Sequence, residues 1–447
     1  MMNWKDLMSS RRLGDQHEPV EASAVRSAFE ADYDRIIFSR PFRNLQDKTQ
    51  VFPLPDQDFV HTRLTHSLEV SSVARSLGKS VGQSLIEKHR ELEKYTPGDF
   101  GAITGAAALA HDVGNPPFGH SGETAISDYF KFNEKAARIR KAVSESEWED
   151  LINFEGNAQG FRLLTRNQRQ GLKLTLSTLA AFTKYPCPSF FQERDQSKKS
   201  QKKYGFFQSE QKLYQELAKE LSLIQHDPSS VFCRHPLAFL VEAADDICYS
   251  IIDLEDGFGL GLVSFDRARD FLAHIFGTKY QPEKLTKIPS DKEKIGVLRA
   301  VAINQLIGQC MEVFMKNEDA MLLGEFDQAL TDLIPSASVL NEISSFSVKH
   351  IYQSRQVLEK EVAGFEVING LLDAFVNAVF SKHFDAENFT GLEKSIYRLL
   401  PEDYAQKIVQ PSTSAYEIVL IVTDFISAMT DSSALKMYRV IKGIELK

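Results

Sequence analysis

Cysteine is scarce in this chain. Cys187, Cys233, Cys248 and Cys310 are spread over 447 residues with no CxxC pair, which excludes a disulfide framework and fits reduced thiols. No uninterrupted apolar run reaches the roughly 18 residues that a membrane-spanning helix needs. The opening MMNWKDLMSSRRLGDQ has no apolar signal-peptide core. The expectation is a cytoplasmic protein with no membrane partner. Positive charge is not in excess either. Lys and Arg number 52 against 61 Asp and Glu, a formal net charge of −9, which argues against non-specific coating of nucleic acid. A local basic pocket for a polyanionic small molecule stays open. What remains, 43% hydrophobic and 25% charged residues, is a globular composition. The length allows two or three ordinary domains, or one large one.

Helix-period patterns dominate, and strand signals are sparse. From Arg63 to Gly82, His66, Val70, Val73 and Leu77 recur at steps of four, three and four, one face of a helix. Ile103 to Asp112 is rich in alanine and stops at Gly114 and Pro116. Pro236 to Asp256 has proline near its start and Gly257 after its end, the usual asymmetry. Ser347 to Phe380 reads as one kinked helix or two. Glu417 to Met429 and Ser433 to Ile444 close the chain as helices. Only Gln50–Phe52 and Asp58–Val60 hint at a short hairpin. Gln192 to Lys203 reads as an exposed polar loop, with Lys198, Lys199 and Lys202 in solvent. No repeat is present. The expected fold class is all-α, a continuous helical core with a C-terminal helical extension and at most a short β-hairpin.

The chemistry concentrates in one segment, His111-Asp112-Val113-Gly114-Asn115-Pro116-Pro117-Phe118-Gly119-His120-Ser121-Gly122-Glu123. Packing gives no reason to set two adjacent ionisable groups at the end of an alanine-rich helix. Burying them costs several kcal/mol unless a metal or an opposite charge compensates. His66 lies on the apolar stripe of its helix and should face inward. Asp245 shares a stripe with Ala238, Val241, Cys248 and Ile252. His66, His111, Asp112 and Asp245, delivered by three helices, form a mixed nitrogen and oxygen site for one divalent ion, Mg, Mn or another transition metal. On spacing alone, a chance arrangement stands equally open.

His66, His111-Asp112 and Asp245 follow the H…HD…D pattern of HD-domain phosphohydrolases. The surrounding words are narrower. Ser39-Arg40-Pro41-Phe42-Arg43, Asp47-Lys48-Thr49-Gln50-Val51-Phe52-Pro53, Thr62-Arg63-Leu64-Thr65-His66-Ser67-Leu68-Glu69-Val70, HDVGNPPFGHSGE, Asn153-Phe154-Glu155-Gly156-Asn157-Ala158-Gln159-Gly160, Lys203-Tyr204-Gly205-Phe206-Phe207 and Glu242-Ala243-Ala244-Asp245-Asp246-Ile247-Cys248-Tyr249 resemble the bacterial deoxyguanosine triphosphate triphosphohydrolases (dGTPases). Glu361-Val362-Ala363-Gly364 and Tyr438-Arg439-Val440-Ile441-Lys442-Gly443 resemble that family's C-terminal helices more loosely. The resemblance implies an HD-domain helical core over 35–260, an N-terminal segment over 1–34, and a C-terminal helical region over 261–447 that completes the nucleotide pocket and oligomer contacts. The implied reaction is dGTP plus water giving deoxyguanosine and inorganic triphosphate.

Releasing intact triphosphate expels a 5′-alkoxide of very high pKa, so a proton donor is needed. His120 is the best candidate, with Glu123 three residues on to orient the imidazole. The resemblance gives that pair a catalytic role; the alternative is that both merely cap the following helix. Arg63, three residues before His66 on the same helix side, can reach a phosphate. The resemblance adds Asn157, Lys184 and Lys203 as phosphate contacts, Lys203 more firmly than Lys184. Tyr249 and Asp253 follow Asp245 at steps of four, on a face about 12 Å long. By resemblance Tyr249 packs under the sugar C2′ and Asp253 meets the 3′-hydroxyl, which favours deoxynucleotides. Gln50 and Val51 match sugar and base contacts, and Arg439 is a candidate for the base pocket. Relatives are commonly ring-shaped hexamers, so a homo-oligomer is expected, with a dNTP or single-stranded DNA as a possible effector. The alternatives are a nucleotide-activated broad dNTPase, an HD nucleotidase acting on deoxynucleoside monophosphates, and a barely catalytic dNTP or DNA sensor. The His120–Glu123 pair argues against the sensor.

Overall fold

The computed structural model describes residues 1–14, 26–50, 61–166, 172–191, 194–195, 197–227, 230–277, 280–353, 355–410 and 413–444. The helices that build the site and its frame are α1 (Arg63–Lys88), α2 (Pro97–Ala110), α3 (Gly119–Phe132), α4 (Glu145–Ile152), α5 (Gly156–Thr165), α6 (Leu176–Phe182), α7 (Pro236–Gly259), α8 (Phe265–Phe276), α9 (Asp291–Leu323), α10 (Ala337–Ser347), α11 (Arg355–Phe384), α12 (Ala415–Ser427) and α13 (Asp431–Ile441). One two-stranded antiparallel pair, β1 (Gln225–Asp227) with β2 (Val231–Phe232), is the sheet among the described residues. The fold is therefore all-α. The expected hairpin around residues 50–60 falls largely outside the described residues, although Thr49 and Thr62 at its edges form an antiparallel bridge.

Local chemistry explains the helix ends. Thr62 caps α1 and exchanges hydrogen bonds with Thr65, satisfying free N–H groups at the first turn. The alanine-rich α2 buries every residue from Phe100 to Ala110, which lets α1 lie close along it. It ends at Ala110, two residues before the expected stop, so His111 and Asp112 occupy the turn rather than the helix. Pro236 opens α7, but Gly257 does not end it; the helix runs to Gly259. The glycine answers close packing: a Cβ there would sit 2.6 Å from Ile351 and 2.8 Å from Val263. The long apolar segment from Ser347 starts with a π-helix, Val348–Tyr352, and its one α-helix is α11. The polar stretch before Lys203 is not simply an exposed loop. Ser200 and Gln201 are buried, Ser200 bonds Asp327, and Lys199 pairs with Asp332 at 2.9 Å. Hydrogen-bonding side chains pack well when partners exist, and sequence composition cannot announce the partner.

Two apolar clusters hold the molecule. The first joins α1, α2, α6, α7, α8, α9 and α10; the second joins α3 and α4 to α11, α12 and α13. Helices on both sides of residue 260 thus share the first cluster, and the second begins near Val367 in the C-terminal region. Val357–Phe384 is long and apolar enough, by length and composition, to cross a membrane, yet half of its most apolar stretch is buried within the protein. Within the fold, α11 is a core helix packed on α3, α12 and α13.

Candidate active site

A cavity of about 460 Å³ opens where the two clusters meet, within the usual range for small-molecule sites. His66 projects from α1, 1% exposed. His111 and Asp112 follow α2, and Asp245 projects from α7. Ligand atoms of His66, His111 and Asp112 all lie within 4.8 Å of one another. Asp245 Oδ1 is 3.2 Å from His66 Nε2 and 3.5 Å from His111 Nε2. His111 Nδ1 faces the Ala108 carbonyl at 2.7 Å. A carbonyl only accepts, so Nδ1 carries the proton and Nε2 offers its lone pair to the cluster. Two imidazole nitrogens and two carboxylates converge at these distances. That donor set fits a divalent ion. Burial works against the Asp112 carboxylate, but Arg63, His111 and His66 overcome it and hold its pKa at about 2. Asp245 is likewise lowered, burial being outweighed by His111, His66 and Lys184.

Arg63 is only 5% exposed and donates Nη1–H to Asp112 Oδ2 at 2.7 Å. Its guanidinium lies against Gly119, where φ is +60° and a Cβ would come within 2.8 Å of Nη2. Only glycine meets both demands. His120 then opens α3 with its side chain 82% exposed. Its Nδ1 meets Glu123 Oε2 at 2.8 Å, and the buried Glu123 accepts the Gly156 N–H through Oε1 at 2.8 Å. Burial raises the Glu123 pKa, but the hydrogen bond and charge of His120, with Lys203, leave it lowered. An ionised Glu123 fixes the proton on His120 Nδ1 and leaves Nε2 for another partner.

Lys203 and Lys184, like Arg63, each have a carboxylate at hand. Lys203 donates to Glu155 at 3.1 Å, which also holds Asn157 at 2.7 Å. Lys184 lies 3.4 Å from Glu242, itself bonded by Arg234 at 2.7 Å. Burial opposes the Lys184 charge, but Tyr185, Glu242, Asp246 and Asp245 raise its pKa. Gln50 lines the cavity with Oε1 buried and without a hydrogen-bond partner among the described residues. Val51 lies outside the described residues. Tyr249, 37% exposed, lines the cavity and stacks on Tyr352 with ring centroids 5.7 Å apart. Asp253 does not line it; the carboxyl is 2% exposed, accepts the Tyr352 hydroxyl, and is pushed up to about 7 by burial. Arg439 is exposed on α13 and also outside the lining. The sequence reading missed Tyr352, Val357 and Glu361, which close one wall. The Glu361-Val362-Ala363-Gly364 word carried the signal, without saying which residue faced inward.

A helical fold that brings H…HD…D donors together in a nucleotide-sized cavity that also holds Arg63, Lys184 and Lys203 defines an HD-domain phosphohydrolase, a metal-dependent class. Residues 63–162 match the HD domain and residues 335–440 match the phosphohydrolase-associated domain. The chain is 42% identical over the full length of both proteins to the deoxyguanosinetriphosphate triphosphohydrolase-like protein of Synechocystis sp.. It is 38% identical to the like-named protein of Pseudomonas aeruginosa over 99% of each chain. It is 32% identical to the deoxyguanosinetriphosphate triphosphohydrolase of Enterobacter sp., covering 99% of this chain and 98% of that one. The chain belongs to the dGTPase family and is a hydrolase of that family.

Proposed function

We propose that this protein hydrolyses dGTP, and to a lesser extent other dNTPs, to the deoxynucleoside and inorganic triphosphate. The observation that carries this reading is the meeting, in one cavity, of the His66–His111–Asp112–Asp245 donor set, the His120–Glu123 pair and three cations, Arg63, Lys184 and Lys203. One divalent ion held by those four donors would neutralise charge and polarise an α-phosphate oxygen or a water there. Water oxygen bonds to the α-phosphorus and releases a proton to solvent, the bond from phosphorus to O5′ breaks with its electron pair on O5′, and a proton must reach O5′. His120 Nε2 delivers that proton, and Glu123 holds the ring oriented for it. Arg63, Lys184 and Lys203 exchange their carboxylate partners for phosphate oxygens. Three such cations favour a long phosphate chain over a nucleoside monophosphate.

Base and sugar preference rest on Tyr249, Asp253 and Glu361. Tyr249 beside C2′ leaves no room for a ribose 2′-hydroxyl, and Asp253 becomes available to a 3′-hydroxyl once Tyr352 releases it. Glu361 offers a carboxylate in the same cavity. Guanine alone among the common bases presents N1–H and N2–H donors side by side, the pair a carboxylate accepts. Assembly as a hexamer and an effector role for dNTP or single-stranded DNA are proposals from family resemblance, and cytoplasmic location is a proposal from the sparse, unpaired cysteines and the N-terminal sequence. The direct experiment is product analysis of purified protein on all four dNTPs and GTP. Triphosphate with deoxyguanosine, fastest from dGTP, is expected. Pyrophosphate with dGMP, or hydrolysis of dGMP alone, would refute the reading.

A further inference from the structure

The C-terminal corner reaches the catalytic turn through one buried carboxylate. Asp431, the first residue of α13, is 1% exposed. Its Oδ1 accepts the Phe118 N–H at 2.9 Å, and its Oδ2 accepts the Thr49 N–H at 3.1 Å and the Thr49 hydroxyl. Phe118 stands at φ 63° and ψ 17°, the left-handed region that a non-glycine residue rarely adopts. It caps α3 with its backbone alone, no side-chain hydrogen bond assisting. Gly119 follows, also left-handed. Two consecutive left-handed residues therefore aim His120, and surrounding structure must hold them there.

A second buried group ties the same parts. Lys48, 2% exposed, donates Nζ–H to the carbonyl of Asn115 and to that of Ser427, the last residue of α12, each at 2.6 Å. Asn115 in turn donates to Asp112 Oδ1 at 2.5 Å. The corner between α12 and α13 thus grips both ends of the turn that separates Asp112 from His120. We infer that Asp431 is a positioning residue for His120, fixing the Phe118 backbone so that the imidazole stands at a set place relative to the His111–Asp112 donors. This gives the phosphohydrolase-associated region a part in the chemical step without touching substrate. The inference rests on His120 as proton donor.

Misplacing a reacting group by about 1 Å can cost on the order of a hundredfold in rate. The test is a double-mutant cycle on kcat with dGTP, using Asp431→Ala, His120→Ala and the pair. Asp431→Ala should lower kcat by about 10- to 100-fold beside an intact His120, and by less than about threefold where His120 is already alanine. A clamp that only stabilised the fold would lower both backgrounds alike. Asp431→Asn keeps one acceptor oxygen, so it should show the same non-additivity at smaller amplitude, and it carries the test if the alanine variant does not fold. A costly His120→Ala with additive losses would overturn the clamp and leave the proton donor standing. A His120→Ala protein with unchanged kcat would remove the donor and the clamp together.

Discussion

Truncating His120 to alanine separates chemistry from folding cleanly. The side chain is 82% exposed and pairs with Glu123. Removal leaves no internal cavity, and the buried Glu123 carboxylate keeps the Gly156 N–H, so stability should fall by no more than about 1–3 kcal/mol. Activity should respond differently. Loss of a general acid typically costs about 10²–10⁴ in rate, or about 2.7–5.5 kcal/mol of transition-state stabilisation. Metal and dGTP should still bind, because Arg63, Lys184, Lys203 and the His66–His111–Asp112–Asp245 set are untouched. The assay compares kcat for dGTP with kcat for a p-nitrophenyl ester on the same phosphate chain, alongside thermal unfolding. p-Nitrophenolate leaves without a proton, so the defect should shrink strongly on that substrate. Equal defects on both substrates would refute the donor role, and a large drop in Tm would show that His120 holds the fold instead.

Three further outcomes are expected. Asp245→Asn removes an anionic ligand from the donor set, so bound metal measured by elemental analysis and hydrolysis should both fall while the helical circular dichroism stays; full activity with unchanged metal content would contradict the site. Tyr249→Ala should narrow the dGTP-to-GTP ratio of kcat/KM by on the order of tenfold by opening space beside C2′; an unchanged ratio in an active variant would remove Tyr249 as the sugar gate. His61 pairs with Asp256 at 2.6 Å and Glu69 at 3.3 Å, and these carboxylates push its pKa up to about 10. A folded-state pKa above the unfolded value of about 6.5 gives stability that is full below pH 6.5 and lost as pH rises through 10. The urea-unfolding difference between parent and His61→Asn should therefore be a few kcal/mol at pH 6 and shrink toward pH 10; a pH-independent difference would refute the pairing.

Much of this site is readable from local pattern. His66 faces inward because the apolar residues around it repeat at helical spacing, and Asp245 does so for the same reason. His111 and Asp112 stand out because no packing need explains them. The partners are less readable. The pairing of Arg63 with Asp112, the Tyr352 hydroxyl on Asp253, and Phe118 on Asp431 span 49, 99 and 313 residues, and no local periodicity encodes such a contact. Helix ends fail similarly. Gly257 reads as a stop by propensity, yet tertiary packing against Ile351 uses it inside a helix. The strand pair at Gln225–Phe232 has too few residues to produce an alternating pattern.

The most direct measurement is hydrolysis of dGTP in oxygen-18 water, with mass analysis of both products. Attack at the α-phosphorus predicts one labelled oxygen in inorganic triphosphate and unlabelled deoxyguanosine. Label in deoxyguanosine would place the attack at carbon, and labelled dGMP or pyrophosphate would place it at a different phosphoryl bond; either result would contradict the account.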